Sequence, residues 1–332
     1  MYERFYGLNA RPFDLTPNPR YLVLTSQHGE ALSNLAYAIE NRTGVTLLLG
    51  EAGTGKTTVI RAAIERQPTV THCVHLPNPA LTRAEFVQML AARFSLSERA
   101  RRSKTDLLLE LEQLFQRHHD AGDRTVLIVD EAQSLSPVLL EEIRLLSNIE
   151  ANDRKLLTIV IAGQPELATR LNDQSLRQLK QRIALRCELR PLPLRECGVY
   201  ISSRIVAAGG IPAEMFTREA VTLIHEFSRG IPRTINVIAD NALLGGFAKG
   251  QRFVTRDLVR EVCRDFDITP TPPVGAGASA RREPGAVLSP RAANVPGKAE
   301  QRDVDAAVPE SPSGIDKIVD SSSAVLSGLR LT

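Results

Sequence analysis

Eight consecutive residues, Gly50-Glu51-Ala52-Gly53-Thr54-Gly55-Lys56-Thr57, constrain this chain more than anything else in it. They satisfy the pattern G-x-x-x-x-G-K-[ST] at every fixed position. A short apolar run, Val45-Thr-Leu-Leu-Leu49, precedes them, and a helical pattern over residues 55–66 follows. The glycines let the backbone curl until successive N–H groups point inward at an anion. The positive end of the following helix adds to that field. The segment therefore reads as a strand-loop-helix cradle for nucleotide phosphates, formed by Gly50, Glu51, Ala52, Gly53, Thr54, Gly55, Lys56, Thr57 and Thr58. In it Lys56 reaches the β- and γ-phosphates of ATP, and the Thr57 hydroxyl is a ligand for Mg2+. The competing reading is a chance glycine-rich turn, which does not account for the motif and both flanks together.

The surrounding pattern says what carries this loop. Runs at 45–49, 70–76, 125–129 and 156–162 read as four buried strands of a parallel sheet. Helical patterns at 55–66, 83–93, 104–118 and 137–149 lie between them. Strand and helix alternation predicts right-handed βαβ crossovers and an α/β fold of the P-loop type. After Pro193 no further strand is expected, and four helices follow, over 195–208, 217–227, 232–249 and 255–265. The division expected is an α/β nucleotide-binding domain at 1–192, a helical domain at 193–267 and a tail at 268–332. Eight of the chain's 20 prolines fall between Pro270 and Pro312, and no aromatic residue follows Phe266, so the tail is expected to be disordered. A more apolar piece at 315–331 reads as a frayed terminus or a docking peptide.

A second motif completes the site. Thr125-Val-Leu-Ile-Val129 delivers Asp130 and Glu131 to a strand end 74 residues after Lys56. Asp130 is expected to hold Mg2+ with Thr57, and Glu131 to polarise the water that attacks the γ-phosphate. The pair predicts an ATP hydrolase rather than a mere nucleotide binder. No N-K-x-D segment is present to read guanine.

Composition removes other classes. The apolar runs fall far short of the roughly 20 residues that span a bilayer, and the N-terminus has no apolar leader segment. Cys73, Cys187, Cys197 and Cys263 form no C-x-x-C pair and read as reduced thiols of a cytosolic protein. Net charge is +3 and Trp is absent, which argues against strong nucleic-acid binding. His72-Cys73-Val74-His75 is not expected to hold zinc, because neighbouring strand residues face opposite sides. His118-His119 reads as a solvated helix end.

With these motifs in place the chain resembles the AAA+ superfamily of ATPases, and the helical segment resembles that superfamily's lid. The resemblance implies roles for several further residues. Gln164 matches the polar residue that orients the attacking water, although a plain loop cap is also open. Arg233 in Gly230-Ile-Pro-Arg233 matches a lid arginine that touches the γ-phosphate; a helix start with Pro in its first turn explains the Pro alone. Arg182, or else Arg177, in Leu176–Ile183 matches an arginine finger that enters a neighbouring subunit's site, with a solvated basic helix face as the alternative. Asn78 matches a polar residue linking partner binding to the catalytic Glu.

Tyr2-Glu-Arg-Phe-Tyr-Gly-Leu8, Arg11-Pro-Phe-Asp-Leu-Thr-Pro-Asn-Pro-Arg20 and the stretch 28–39 resemble the opening of the general secretion pathway protein A group. That group includes MSHA pilus and exosortase-associated ATPases. The likeness implies that residues 1–40 flank the adenine, around 17–21. It implies Mg-dependent ATP hydrolysis driving assembly or remodelling of a bacterial secretion, pilus or other envelope machine. It also implies a homo-oligomer, located in the cytoplasm or peripheral to the inner membrane. The tail stands where the secretion protein has a membrane helix and a peptidoglycan-binding domain, so direct cell-wall binding is not expected. The alternatives are a DNA-transaction ATPase of the transposition-helper or origin-recognition-like type, and a nucleotide switch with negligible turnover.

Overall fold

The computed structural model describes residues 1–15, 23, 25–68, 70–77, 81–151 and 154–269. Asn78, the segment 17–21 and the tail from 270 onward lie outside the described residues. Five strands form one sheet: β1 (Val45–Gly50), β2 (Thr71–Leu76), β3 (Arg124–Val129), β4 (Thr158–Gly163) and β5 (Ile183–Leu189). Their order is β2-β3-β4-β1-β5, and every pairing is parallel. The helices packed with the sheet are α2 (Ser26–Asn41), α3 (Lys56–Glu65), α4 (Arg83–Arg93), α6 (Lys104–Asp120) and α7 (Pro137–Leu146), with the short α5 (Glu98–Arg102), α8 (Pro165–Arg170) and α9 (Arg177–Gln181) between them. A five-residue α1 (Tyr2–Tyr6) opens the chain.

Alternation along the central strands builds a core on each face of the sheet. Leu47, Leu49, Leu127, Val129, Ile159 and Ile161 bury against α4, α6 and α7. Leu48, Val126, Ile128, Val160 and Ala162 bury against α2 and α3. This double burial makes β1, β3 and β4 legible as apolar runs.

The two edge strands depart from expectation. β5 was not foreseen, because Ala184, Arg186 and Glu188 are exposed while Cys187 and Leu189 are buried. That is the alternating pattern of a strand with one wet face, and its charges blunt an open edge. β2 is not fully buried either, since only Leu76 is sequestered.

The pair His118-His119 also differs from the solvated end expected. The His118 ring stacks on His72 with centroids 3.9 Å apart, and its Nδ1 lies 2.9 Å from Thr125 Oγ1. His119 meets the Arg42 guanidinium. The last turn of α6 is thus packed onto the N-terminal edge of the sheet.

Four helices follow β5: α10 (Leu194–Ala207), α11 (Arg218–Ser228), α12 (Pro232–Ala248) and α13 (Arg256–Asp265). They enclose a separate core that also takes in Tyr2, Leu8 and Phe13 from the start of the chain. Phe13 stacks edge-on against Phe216 at 6.0 Å. Arg204 of α10, 6% exposed, donates to the carbonyls of Pro12 and Asp14 and to the Tyr200 hydroxyl. The Asn9 N–H donates to Ala208 O at 2.8 Å. The first 15 residues therefore pack with the helical segment, while α2 packs on the sheet. No helix among the described residues is long and apolar enough to cross a membrane.

This division has a measurable consequence. Phe13 is 1% exposed, and truncating a buried Phe costs about 3–5 kcal/mol. Phe13→Ala should lower stability by about that amount in chemical denaturation. A loss below about 1 kcal/mol would show that the opening residues lie on the helical core without belonging to it.

Candidate functional site

The glycine-rich loop joins β1 to α3 across residues 51–55. Gly53 and Gly55 have φ of 84° and 102°, the left-handed region in which glycine is at ease. Gly53 also has no room for a side chain, since a Cβ there would lie 2.6 Å from Arg233 Cβ. Thr54 is buried, and its hydroxyl donates to Glu51 O at 2.9 Å. Lys56, the first residue of α3, is 5% exposed. Its ammonium donates to Gly50 O at 2.8 Å and Glu51 O at 3.1 Å. Burial pushes its pKa down, against the opposing pull of Glu131, Asp130 and Glu166.

Asp130 follows β3 directly and is 3% exposed. Its Oδ2 accepts the Thr57 hydroxyl at 2.7 Å, and its Oδ1 accepts the Glu131 N–H at 2.9 Å. The hydroxyl and carboxylate are both oxygen donors suited to a hard divalent cation such as Mg2+. Glu131 adopts a left-handed conformation with φ of 53°. Its carboxylate accepts from Gln133 Nε2 at 2.5 Å. Parallel pairing sets Leu49 opposite Gly163, so Gln164 begins beside the loop at the start of α8. Its backbone N–H donates to Gln133 Oε1 at 3.0 Å.

Two other elements close on the loop. His28 of α2 is buried, its Nε2 donates to Thr54 O at 3.0 Å, and its Nδ1 lies 2.7 Å from the Thr25 hydroxyl. Desolvation holds the pKa of His28 down. From α12, the Arg233 N–H donates to Gly53 O at 3.2 Å. Together these elements leave a cavity of about 380 Å³ lined by Gly53 to Thr58, Glu131, His28 and Arg233, with Tyr200, Arg204 and Asn236 on the helical side. That volume suits a small-molecule ligand.

Most of the sequence-derived candidates thus converge: Lys56, Thr57, Thr58, Glu131 and Arg233 line one cavity, and Asp130 touches it through Thr57. Arg177 and Arg182, at the two ends of α9, are exposed and do not line it. Arg182 lies close enough to Glu150 to help hold that carboxyl below its ordinary range, after the stronger effect of Lys155. The two strand histidines do not share a site. His72 pairs with Asp123 at 2.8 Å, while His75 Nε2 lies 3.9 Å from Asp130 Oδ2.

Sequence reasoning passed over His28, Gln133 and the trio Tyr200, Arg204 and Asn236. Gln133 stands two residues after Glu131, a position that could have been flagged. Asn236 is three residues beyond Arg233, hence on the same helix face. For His28 the only signal was its place at the start of a helical pattern.

Comparison with known proteins places this geometry in a family. A family model described as an AAA domain matches residues 39–171. General secretion pathway protein A of Aeromonas hydrophila is 42% identical over 257 residues, covering 75% of this chain. The chain spans 46% of that relative's length. Among solved structures, the ORC2 protein of Aeropyrum pernix aligns with a TM-score of 0.58 at 19% identity, over 77% of this chain and 72% of that one. Cdc6p of Pyrobaculum aerophilum aligns with a TM-score of 0.59 at 16% identity, over 76% and 70%. At such identities these two speak for the fold alone. Residues 39–171 are accordingly an AAA domain, and the chain around them is akin in sequence to part of general secretion pathway protein A.

Proposed function

We propose that this protein hydrolyses ATP with Mg2+, and that the hydrolysis drives assembly or remodelling of a bacterial secretion, pilus or other envelope machine. The observation that carries the chemical half is the meeting of the two motifs. The Thr57 hydroxyl lies on the Asp130 carboxylate at 2.7 Å, with Lys56 and Glu131 on the same cavity. The envelope half is supported by the relative's name and its 42% identity. The DNA-transaction alternative has only the likeness of fold behind it.

In this reading the loop N–H groups and the start of α3 bind the phosphates, and Lys56 gives up its loop carbonyls for β- and γ-phosphate oxygens. Thr57 and Asp130 hold Mg2+, which neutralises charge on the phosphates when bound. Glu131 takes a proton from the attacking water. Gln164 orients that water from the end of β4, and Arg233 contacts the γ-phosphate from α12. Residues 193–267, with the opening 15 residues packed into their core, then serve as a lid, and the α/β part of residues 1–192 serves as the nucleotide-binding domain. Arg182, or Arg177, completes the site of a neighbouring copy in a homo-oligomer, acting in the cytoplasm or at the inner face of the membrane. Their exposure, away from their own cavity, is what a residue acting in trans requires.

Lys56→Ala should abolish ATP binding in a fluorescent-nucleotide titration. Glu131→Gln should keep ATP bound while phosphate release falls by about 10²–10⁴-fold, because Glu131 acts on the water rather than on the bound ground state. Equal loss of affinity in both variants would overturn this division of roles.

The trans arrangement predicts that specific activity rises with protein concentration. Arg182→Ala should bind ATP normally and hydrolyse it poorly, since fingers in other nucleotide hydrolases contribute about 10³–10⁵ in rate. Mixing it with Lys56→Ala should restore turnover at interfaces where one copy supplies the loop and the other the arginine. Arg177→Ala belongs in the same series. Flat specific activity across the oligomerisation range, or a mixture without rescue, would show that no site is shared.

A further inference from the structure

A catalytic carboxylate must be aimed as well as present, because small errors of orientation at a reacting centre cost large factors in rate. Glu131 has a long, flexible side chain on a residue held at φ of 53°. A non-glycine residue there persists only where its surroundings over-determine it. Four hydrogen bonds do so: Asp130 Oδ1 accepts the Glu131 N–H at 2.9 Å, Glu131 O accepts the Ser134 N–H at 3.0 Å and the Ser134 hydroxyl at 2.7 Å, and Gln133 Nε2 donates to the carboxylate at 2.5 Å. Only the last of these acts on the carboxylate itself.

Gln133 is in turn fixed. Its Oε1 accepts the Gln164 N–H at 3.0 Å, at the exit of β4. Its backbone carbonyl accepts from Arg170 Nη1 at 2.5 Å, and Arg170 Nη2 donates to Leu135 O at 2.7 Å, so α8 clamps the loop that bears it. Gly163 leaves the space, as a Cβ there would lie 3.0 Å from Gln133 Oε1. The two demands on the Gln133 side chain are opposite in kind. The Gln164 N–H needs an acceptor and the Glu131 carboxylate needs a donor. A neutral amide meets both in one orientation only, oxygen toward Gln164 and nitrogen toward Glu131. A carboxylate cannot donate, and an apolar side chain can do neither.

We propose that Gln133 is a positioning residue for hydrolysis. It aims the Glu131 carboxylate into the nucleotide cavity and ties that aim to the backbone N–H of Gln164 at the end of β4. The inference rests on the reading of the site as an ATP hydrolase with Glu131 as base. It adds that a displacement at the end of β4 is passed to the base through one side chain.

The test uses the full chain. Steady-state kcat and KM for Mg-ATP, ATP affinity and Tm are measured for wild type, Gln133→Glu, Gln133→Ala, Gln133→His and Glu131→Gln. Gln133→Glu keeps the shape and the acceptor but removes the donor. A neutral imidazole offers one donor and one acceptor nitrogen. The Glu and Ala variants should lose about 10–100-fold in kcat with KM and ATP affinity nearly unchanged, the signature of a misaimed group. Gln133→His should recover most of that loss, and Tm should stay close to wild type in Gln133→Glu and Gln133→His. The proposal is overturned if kcat in the Glu and Ala variants stays near wild type or rises. It is equally overturned if kcat falls in step with ATP affinity and Tm, or if His gives no rescue. Turnover that survives Glu131→Gln would remove Glu131 as the base, and this proposal with it, whereas a wild type without ATP turnover would remove the hydrolase reading itself.

Discussion

A phosphate-binding loop turns backbone N–H groups toward an anion, and its carbonyl groups then need partners elsewhere. In this chain those carbonyls are taken up from several directions. Thr54 O accepts from His28, Gly53 O from the Arg233 N–H, and Gly50 O and Glu51 O from the Lys56 ammonium. The hydroxyl of Thr54 returns to Glu51 O. The loop's shape is thus held by α2, by α12 and by its own lysine. Of these partners, the Lys56 ammonium is the one a ligand can compete for, since it is a charged, rotatable donor on neutral acceptors. The site is preorganised for an anion that offers Lys56 a better bond.

The charge balance points the same way. Burial disfavours a charged Lys56, yet nearby Glu131, Asp130 and Glu166 oppose that shift. A buried cation bonded only to carbonyls is costly unless an anion arrives. Beside it, Asp130 is almost wholly buried and has a hydroxyl and a backbone N–H as donors. A phosphate chain with a divalent cation would answer both the lysine and the aspartate at once, which neither could do for the other from these positions.

How much of this could be read from the residues depended on the kind of signal. The loop and the strand-end acids are local patterns with a fixed mechanical purpose, and they stood out. β1, β3 and β4 are buried on both faces and read as apolar runs. β5 was hidden because Arg186 and Glu188 face water at a sheet edge and interrupt the apolar run. His118, on α6, differs from the solvated end expected because nothing nearby in sequence reveals that His72 of β2 stacks on it. The roles of His28 and Gln133 were only faintly marked, because part of their meaning comes from a backbone carbonyl 26 residues away and a backbone N–H 31 residues away. Long-range bonds of a side chain to the backbone leave no periodicity to read.

The same kind of bond decides how the helical segment is attached. Gln27 and His28 are adjacent at the start of α2. His28 holds the loop, while Gln27 brackets one residue beyond β5, accepting the Arg190 N–H at 2.8 Å and donating to Arg190 O at 3.0 Å. Two residues further, the Leu192 N–H donates to Gly230 O at 2.8 Å, and Leu192 O accepts from His225 Nε2 at 3.0 Å. Gly230 leads directly into Pro232 and Arg233 at the start of α12. One turn of α2 therefore grips both the phosphate loop and the passage from the sheet to the helices, and residues 1–15, ahead of it, are built into the helical core. A change in the loop cannot be absorbed by the loop alone. It must be felt at His28, and through the neighbouring Gln27 at the point where the chain leaves the sheet. Among the described residues, the helical segment meets the loop and the exit of β5 through short, directional bonds, from the Arg233 N–H to Gly53 O and from His225 Nε2 to Leu192 O.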